Sequence, residues 1–175
     1  RREARLDMRF DSAQKVTAHE EVNEYSENKL ADVIFRLGEE PRARRVARAI
    51  VRIRPIETTT KLADIVVRAV GGRLGRRTHP ATRTFQAIRM AVNGELDNLL
   101  RGLERAIGLM AEGGRLVVIS YHSLEDRLVK NFLRQESREV KSIRLINKKV
   151  ISPSREEVRT NRRSRSARMR VAERI

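Results

Sequence analysis

The chain has 175 residues, which is enough for one domain or for one domain with a small insertion. It carries 39 Lys and Arg residues against 23 Asp and Glu residues, and the net charge of +16 indicates a polyanionic partner, with nucleic acid the best candidate. It contains no cysteine, which excludes a disulfide framework and a thiolate metal site. The sequence has neither an apolar run of the roughly 20 residues that span a bilayer nor a hydrophobic signal segment, so we expect a soluble protein of a reducing compartment.

Residues 17–70 carry the apolar spacing of helices and show no strand pattern. Four short helices are predicted there, and the residues that cap or start them are Thr17, Ser26, Pro41 and Thr58. The third helix has apolar residues on its inward face and arginines that point mostly outward. These arginines are Arg42, Arg44, Arg45, Arg48 and Arg52. Four helices without a strand predict a small helical subdomain, and the glycines and arginines of 71–77 then predict a flexible basic hinge.

The residues after this hinge combine helices with strands. Helices are predicted over 82–92 and 95–110, and Gly113-Gly114 then leads into an apolar strand that ends at Ser120. A further helix follows at once. This order of helix, glycine turn, strand and helix is typical of a doubly wound α/β sheet.

The C-terminal tail has weaker patterns. IRLI at 143–146 predicts a strand, and KKVI at 148–151 is a second candidate. Ser154 and Glu157 have the spacing of a capping box. The alternating arginines that follow predict an edge strand with Arg side chains on one face.

A cluster of small polar and ionisable residues follows the strand that ends at Ser120. In α/β sheets, ligands bind at the carboxyl ends of strands, so Tyr121, His122 and Ser123 are candidates for chemistry. The spacing of Ser123 and Asp126 predicts a capping box that begins the next helix. The same residues would also serve merely to end a strand and cap a helix, and position alone leaves both interpretations open.

Five segments of the chain together carry a resemblance to a known family. They are LDMRFD at 6–11, GEEPRARRVARAIV at 38–51, THPATRTFQAIRMAVNGEL at 78–96, ISYHSLEDRLVKNF at 119–132 and NRRSRSARMRVAERI at 161–175. In this order they resemble the S-adenosylmethionine-dependent methyltransferases that modify N4 of a cytidine in the decoding region of small-subunit ribosomal RNA. The match covers nearly the whole chain.

The resemblance implies a fold class and a domain organisation. We expect an α/β fold, formed by the C-terminal portion of a class I (Rossmann-like) methyltransferase sheet with a small all-helical domain inserted. Residues 1–15 and 77–175 would then belong to the methyltransferase domain, and 16–76 to the insertion. In the family, the glycine-rich cofactor loop lies upstream of LDMR, and this chain does not contain it.

The resemblance also implies S-adenosylmethionine as cofactor and small-subunit rRNA, or an assembling 30S-type subunit, as partner. The expected location is the cytoplasm of a bacterium, or an organelle, and no membrane association is expected. The oligomeric state stays open, with a homodimer as one option. A non-catalytic, basic RNA- or ribosome-binding protein derived from a truncated methyltransferase is the alternative function.

Three groups of site residues follow from these considerations. We expect Tyr121, His122 and Ser123 to line the pocket for the target base and to act in catalysis. By the family match, Asp7, Met8 and Arg9 should close one wall of that pocket near the cofactor, and a charged loop held by a salt bridge is the alternative interpretation. The predicted RNA contacts are Arg83, Arg89, Arg163, Arg165 and Arg168, and no metal site is expected.

Overall fold

The computed structural model describes residues 3–72 and 78–175, so the hinge predicted over 71–77 lies mostly outside the described residues. The described residues form eight α-helices: α1 (Ala18–Glu24), α2 (Glu27–Gly38), α3 (Ala43–Ile53), α4 (Thr59–Ala69), α5 (Thr82–Val92), α6 (Glu95–Leu109), α7 (Ser123–Gln135) and α8 (Arg155–Thr160). They also form three strands: β1 (Arg115–Ser120), β2 (Ile143–Leu145) and β3 (Arg168–Arg174). This mixed α/β architecture agrees with the predicted fold class. None of these helices is long and apolar enough to cross a membrane.

The chain divides into two compact units, Arg1–Glu95 and Leu96–Ile175. The first unit contains α1 to α5, and its helices begin where the local sequence predicts. Thr17 and Glu20 form the expected capping box of α1, and the hydroxyls of Ser26 and Thr58 accept backbone N–H groups at the starts of α2 and α4. These caps satisfy backbone donors that have no partner within the helix.

The core of the first unit is aliphatic. Its fully buried residues include Leu30, Ile34, Val46, Ile50 and Leu62. Packing between α2 and α5 depends on a glycine: a Cβ added at Gly38 would lie 2.6 Å from the carbonyl oxygen of Arg83. Because that distance is shorter than any van der Waals contact, a larger residue there would push the two helices apart.

The N-terminal segment also belongs to the first unit. The Leu6 N–H donates to the Glu57 carbonyl at 3.1 Å, and the Leu6 side chain is buried in the helical core. The compact units therefore divide the chain at 95/96, whereas the predicted domains have boundaries at 15/16 and 76/77. The predicted boundaries stay a prediction about the methyltransferase domain and its insertion.

The second unit contains a three-stranded antiparallel sheet in the order β1-β3-β2. Val117 lies opposite Val171, and Leu145 lies opposite Ala172. Gly113, with φ +78°, turns the chain into β1 and donates its N–H to the Arg174 carbonyl at 2.9 Å. Left-handed φ values of this kind favour glycine, which has no Cβ.

The prediction that the Arg-rich tail forms an edge strand is wrong, because β3 has a neighbour on each side. Alternation along a strand reports which face is buried, but distant segments decide how many strands pair with it. IRLI forms β2 as predicted. KKVI contributes an isolated bridge from Ile151 to Met169 rather than a strand. Asn147 precedes it and accepts the Val171 N–H at 2.6 Å through its side chain.

Helices α6 and α7 cover this sheet. Val129 and Leu133 of α7 pack with Leu103 and Ile107 of α6 in one apolar cluster, which also includes Ile143 of β2. This packing fixes the position of α7, and with it the loop that joins β1 to α7.

Candidate functional site

The candidate site begins at the carboxyl end of β1. Ser120 is buried, and its hydroxyl lies 3.4 Å from the Arg168 carbonyl on β3. The next residue, Tyr121, is 56 % exposed. Its backbone N–H donates to Oε2 of Glu125 at 3.0 Å, which holds the backbone of the loop while the phenol ring faces solvent.

His122, rather than Ser123, caps α7. Its Nδ1 accepts the N–H of Glu125 at 3.3 Å. The predicted capping box of Ser123 with Asp126 is therefore wrong, and Ser123 is the first residue of the helix. The physical reason is that the Asp126 side chain does not turn back to the helix start, because two arginines of β3 bind it.

The hydrogen bond at the helix cap also determines which nitrogen of the His122 ring carries the proton. Because Nδ1 accepts a hydrogen bond, the proton of the neutral imidazole is on Nε2. This Nε2 is buried and lies 3.0 Å from Oε1 of Glu125, but the contact does not have hydrogen-bond geometry. The two groups therefore form a close polar contact without a hydrogen bond.

Glu125 is ionised in this arrangement. Burial by itself would raise the pKa of Glu125, but contact with His122 and the Tyr121 N–H outweigh burial and hold that pKa below its ordinary value. Glu125 lies in the first turn of α7, where the helix dipole also favours a negative charge.

Asp126 joins α7 to β3. It is 7 % exposed, and Arg170 binds it in a bidentate manner, with Nε at 2.7 Å from Oδ1 and Nη2 at 3.2 Å from Oδ2. Arg168 adds a third contact at 3.2 Å. Burial would raise the pKa of Asp126, but the hydrogen bonds and charges of the two arginines outweigh it and lower the pKa. The sequence contained a signal for this contact, since 168 and 170 lie on one face of a strand.

The segment Asp7-Met8-Arg9 is a closed loop in the first unit. Arg9 binds both carboxylate oxygens of Asp7, at 2.7 and 2.9 Å, and its Nη1 donates to the carbonyls of Ser12 and Gln14. The hydrogen bonds that Arg9 donates to Asp7 from its guanidinium and its backbone N–H lower the pKa of Asp7 to about 2. The geometry thus supports the salt-bridged loop, and contact with a cofactor stays a prediction.

Asn93 holds this loop in place, a role that sequence reasoning missed. Its amide donates to the Met8 carbonyl at 2.8 Å, and its Oδ1 accepts the Phe10 N–H at 2.7 Å. These bonds support Met8 in a left-handed conformation, with φ +62°. The sequence marks Asn93 only as a helix break before Gly94, because its partners lie more than 80 residues away.

The arginines predicted to contact RNA differ in whether their side chains already bind a carboxylate. Arg89 forms a bidentate ion pair with Glu95, at 2.6 and 2.8 Å, and Arg168 binds Asp126. By contrast, Arg163 and Arg165 are exposed on a 3₁₀ turn that spans Arg162–Ser166.

Arg83 lies on a pocket of the first unit. The pocket has a volume of about 430 Å³ and is lined by Glu40, Pro41, Arg42, Thr78, His79, Pro80 and Arg83. It brings together the residues that precede α3 and those that begin α5. Sequence spacing alone does not connect these two segments, because they lie far apart along the chain.

Comparison with known proteins identifies the family. The model of the MraW methylase family matches residues 1–175. The chain belongs to this family. It is 54 % identical to ribosomal RNA small subunit methyltransferase H of Dehalococcoides mccartyi over 187 residues, and 57 % identical to the protein of the same name from Coprothermobacter proteolyticus over 169 residues.

The MraW methylase relatives are longer than this chain. The two alignments cover 99 % and 95 % of the chain but 53 % and 56 % of the relatives, so the chain spans about half the length of the curated relatives it matches. A protein of the same name from Synechococcus elongatus is 49 % identical, over 100 % of the chain and 58 % of the relative. The family resemblance carried by LDMRFD, HPATRTFQA and SYHSLEDR is thereby confirmed.

Proposed function

We propose that the protein transfers a methyl group from S-adenosylmethionine to the exocyclic N4 of a cytidine in the decoding region of small-subunit rRNA. The observation that carries this proposal is the family match over residues 1–175, together with relatives named for methylation of small-subunit ribosomal RNA. The partner would be this rRNA, free or in an assembling 30S-type subunit. A cytoplasmic location is part of the same proposal.

Methylation of N4 requires that the target cytosine leaves the base stack. It also requires that the lone pair of the N4 amine is localised on the nitrogen. The exposed ring of Tyr121 offers a surface on which a flipped cytosine can stack. The N4–H group needs an acceptor, and Nδ1 of His122 is already used by the helix cap. The Tyr121 phenol and the Ser123 hydroxyl are therefore the acceptors we propose, with His122 positioning the loop between them.

The cofactor would supply an electrophilic methyl group held in line with N4. Asp7, Met8 and Arg9 are the residues of this chain that we propose near it. The Asp7 and Arg9 side chains bind each other, and the Met8 carbonyl accepts a hydrogen bond from Asn93. We therefore derive no catalytic step from them.

The test is methyl transfer by the full-length protein from isotope-labelled S-adenosylmethionine. Immature small subunits and free rRNA are compared as substrates, and nucleoside mass spectrometry locates the methyl group. We expect N4-methylcytidine, and a loss of kcat/KM of at least about tenfold for Tyr121→Ala. Phe35→Ala, which removes a comparably exposed ring on α2, is the control and should keep its rate.

Absence of labelled product with every substrate would overturn the proposal. If RNA binding persisted in that case, the non-catalytic RNA-binding function would replace it. Full activity of both Tyr121→Ala and Ser123→Ala would overturn the assignment of the pocket without affecting the family.

A further inference from the structure

The helices of this protein differ in how their charges are distributed. Acidic and basic residues occur together in α2, α4, α6 and α7. In contrast, α3 (ARRVARAIVRI) and α5 (TRTFQAIRMAV) carry arginines and no acidic residue. A surface helix that is merely solvated normally mixes both signs, because opposite charges one turn apart stabilise it. The composition of α3 therefore requires another explanation.

The arginines of α3 are available to a partner. Arg44, Arg45 and Arg52 are exposed, and in residues 3–72 and 78–175 their side chains form neither an ion pair nor a hydrogen bond. The fourth, Arg48, reaches Glu27 at 3.3 Å, but its side chain is 76 % exposed. Such an exposed pair is weak and opens readily when a stronger anion is present.

The spacing of these side chains suits a nucleic acid backbone. Arg44, Arg48 and Arg52 are four residues apart, which places them on one face at steps of about 6 Å along the axis. This step is comparable to the distance between consecutive phosphates of an RNA strand. Guanidinium groups match phosphate oxygens in a bidentate manner, so each arginine can hold one phosphate.

The pocket lies at the N-terminal end of this row. Arg42 and Pro41 line it from the α3 side, and Arg83 and His79 line it from the α5 side. Arg42 is held in place, since its guanidinium donates to the Val70 carbonyl and its backbone N–H donates to Glu40 at 3.0 Å. The lining contains one carboxylate, that of Glu40, and two guanidinium groups, those of Arg42 and Arg83, so its net charge is positive.

The same face argues against a membrane or an apolar protein surface as partner. All exposed residues of α3 are arginines, whereas Val46 and Ile50 are fully buried in the core. A helix that lies on a membrane needs an apolar face free for the lipid, and protein interfaces are anchored by large apolar or aromatic side chains. Neither is present on this face.

We infer that the outward face of α3, together with the pocket between the starts of α3 and α5, binds the sugar-phosphate backbone of single-stranded RNA. This inference rests on the proposed function, since it names the surface that holds the RNA substrate. It adds contacts from the helical unit to the arginines predicted from sequence. Phosphate contacts of this kind position the RNA and do not select the base.

The experiment compares two triple variants of the full chain with equal net charge. R44Q/R45Q/R52Q removes the free arginines of α3. R36Q/R105Q/R134Q removes three exposed arginines from the mixed-charge helices α2, α6 and α7. Binding to a fluorescent single-stranded RNA of roughly 15 nucleotides is measured by anisotropy over a range of salt concentrations.

We expect the α3 variant to bind at least about tenfold more weakly, and the slope of log K against log salt to fall by about 2, since each lost phosphate contact removes about 0.7. The control variant should stay within about threefold of wild type. R83Q alone should weaken binding with a slope change of about 0.7. Unchanged melting temperatures would show that both triple variants are folded.

Equal losses in the two triple variants would overturn the inference, because net charge alone would then explain binding. The assignment to RNA would also be overturned if the α3 variant lost affinity for polyglutamate by the same factor as for RNA. Measuring methyl transfer distinguishes this inference from the proposed function. If the wild-type protein binds RNA through α3 but transfers no methyl group, only the proposed methyltransferase function is contradicted. An active α3 variant with unchanged KM for RNA contradicts the inference alone.

Discussion

Helix α3 and strand β3 are both rich in arginine, and their arginines serve different ends. On β3, Arg168 and Arg170 bind the buried Asp126, and Arg174 donates to the Ser142 carbonyl at 2.9 Å. On α3, the arginines face solvent and mostly have no acidic partner among the described residues. A similar density of arginines therefore forms structural contacts on β3 and a solvent-exposed basic surface on α3.

The difference lies in what each element packs against. A carboxylate from α7 lies over β3, and low solvent exposure makes its contact with Arg170 strong. The partners of α3 contribute aliphatic side chains to its buried face and leave the arginine face uncovered. A high density of arginines is thus not enough to identify a surface that binds nucleic acid. It also matters whether nearby carboxylates already bind those arginines.

The largest expected effect comes from removing Asp126, the carboxylate that binds the arginines of β3. Asp126→Ala leaves Arg170 buried without its partner, and we expect a loss of about 3–5 kcal/mol in the free energy of unfolding, measured with urea. Asp32→Ala, at an exposed position of α2, is the control and should change stability by less than about 0.5 kcal/mol. A loss below about 1 kcal/mol for Asp126→Ala would contradict the role of this contact.

A matched pair of arginine substitutions compares the two regions directly. Arg170→Gln should cost about 2–3 kcal/mol, because it removes a charge-assisted bidentate contact that is almost buried. Arg45→Gln on α3 should cost less than about 0.5 kcal/mol. Urea unfolding of the two variants side by side checks this, and equal costs would refute the distinction drawn between the two elements.

A second buried carboxyl group, that of Glu21, shows how burial changes a pKa when no arginine among the described residues binds the group. Glu21 of α1 is 2 % exposed, and burial raises its pKa from 4.5 to about 7, although Tyr25 and Lys29 lower it in part. Because the folded pKa is raised, the stability from this group is present below about pH 4.5 and is lost as the pH rises through 7.

Glu21→Gln should therefore stabilise the chain by about 2 kcal/mol near pH 8 and leave it nearly unchanged near pH 4. Urea unfolding at the two pH values measures this difference. Glu24→Gln, at an exposed position on the same helix, is the matched control for the loss of a carboxylate. A gain of equal size at both pH values would mean that ionisation of Glu21 is not the cause.

The smallest expected effect concerns the exposed loop at Asp7. Hydrogen bonds from Arg9 lower the pKa of Asp7 to about 2, and Arg9→Gln should return it towards its ordinary value of 3.8. Carboxyl chemical shifts in an NMR titration measure this directly. An unchanged pKa in the variant would show that Arg9 does not hold the carboxylate.

Features that depend on neighbouring residues were predictable from sequence. Thr17, Ser26 and Thr58 cap helices as expected, since a cap requires only a side chain and backbone groups two or three residues away. The strand before Tyr121 and the break at Asn93-Gly94 were predictable for the same reason. Ser123 was assigned the wrong role, because its partner in the predicted capping box is bound by arginines more than 40 residues distant.

By itself, then, the sequence determined the family, the mixed α/β class, the excess of positive charge and the position of the loop after β1, because all of these are encoded in local pattern or in ordered motifs. Tertiary structure alone decided that β3 is central, that Asn93 supports Met8 and that the α3 arginines stay open while those of β3 are paired. These features arise from contacts between residues far apart in the chain, and sequence spacing carries no information about which distant groups will meet.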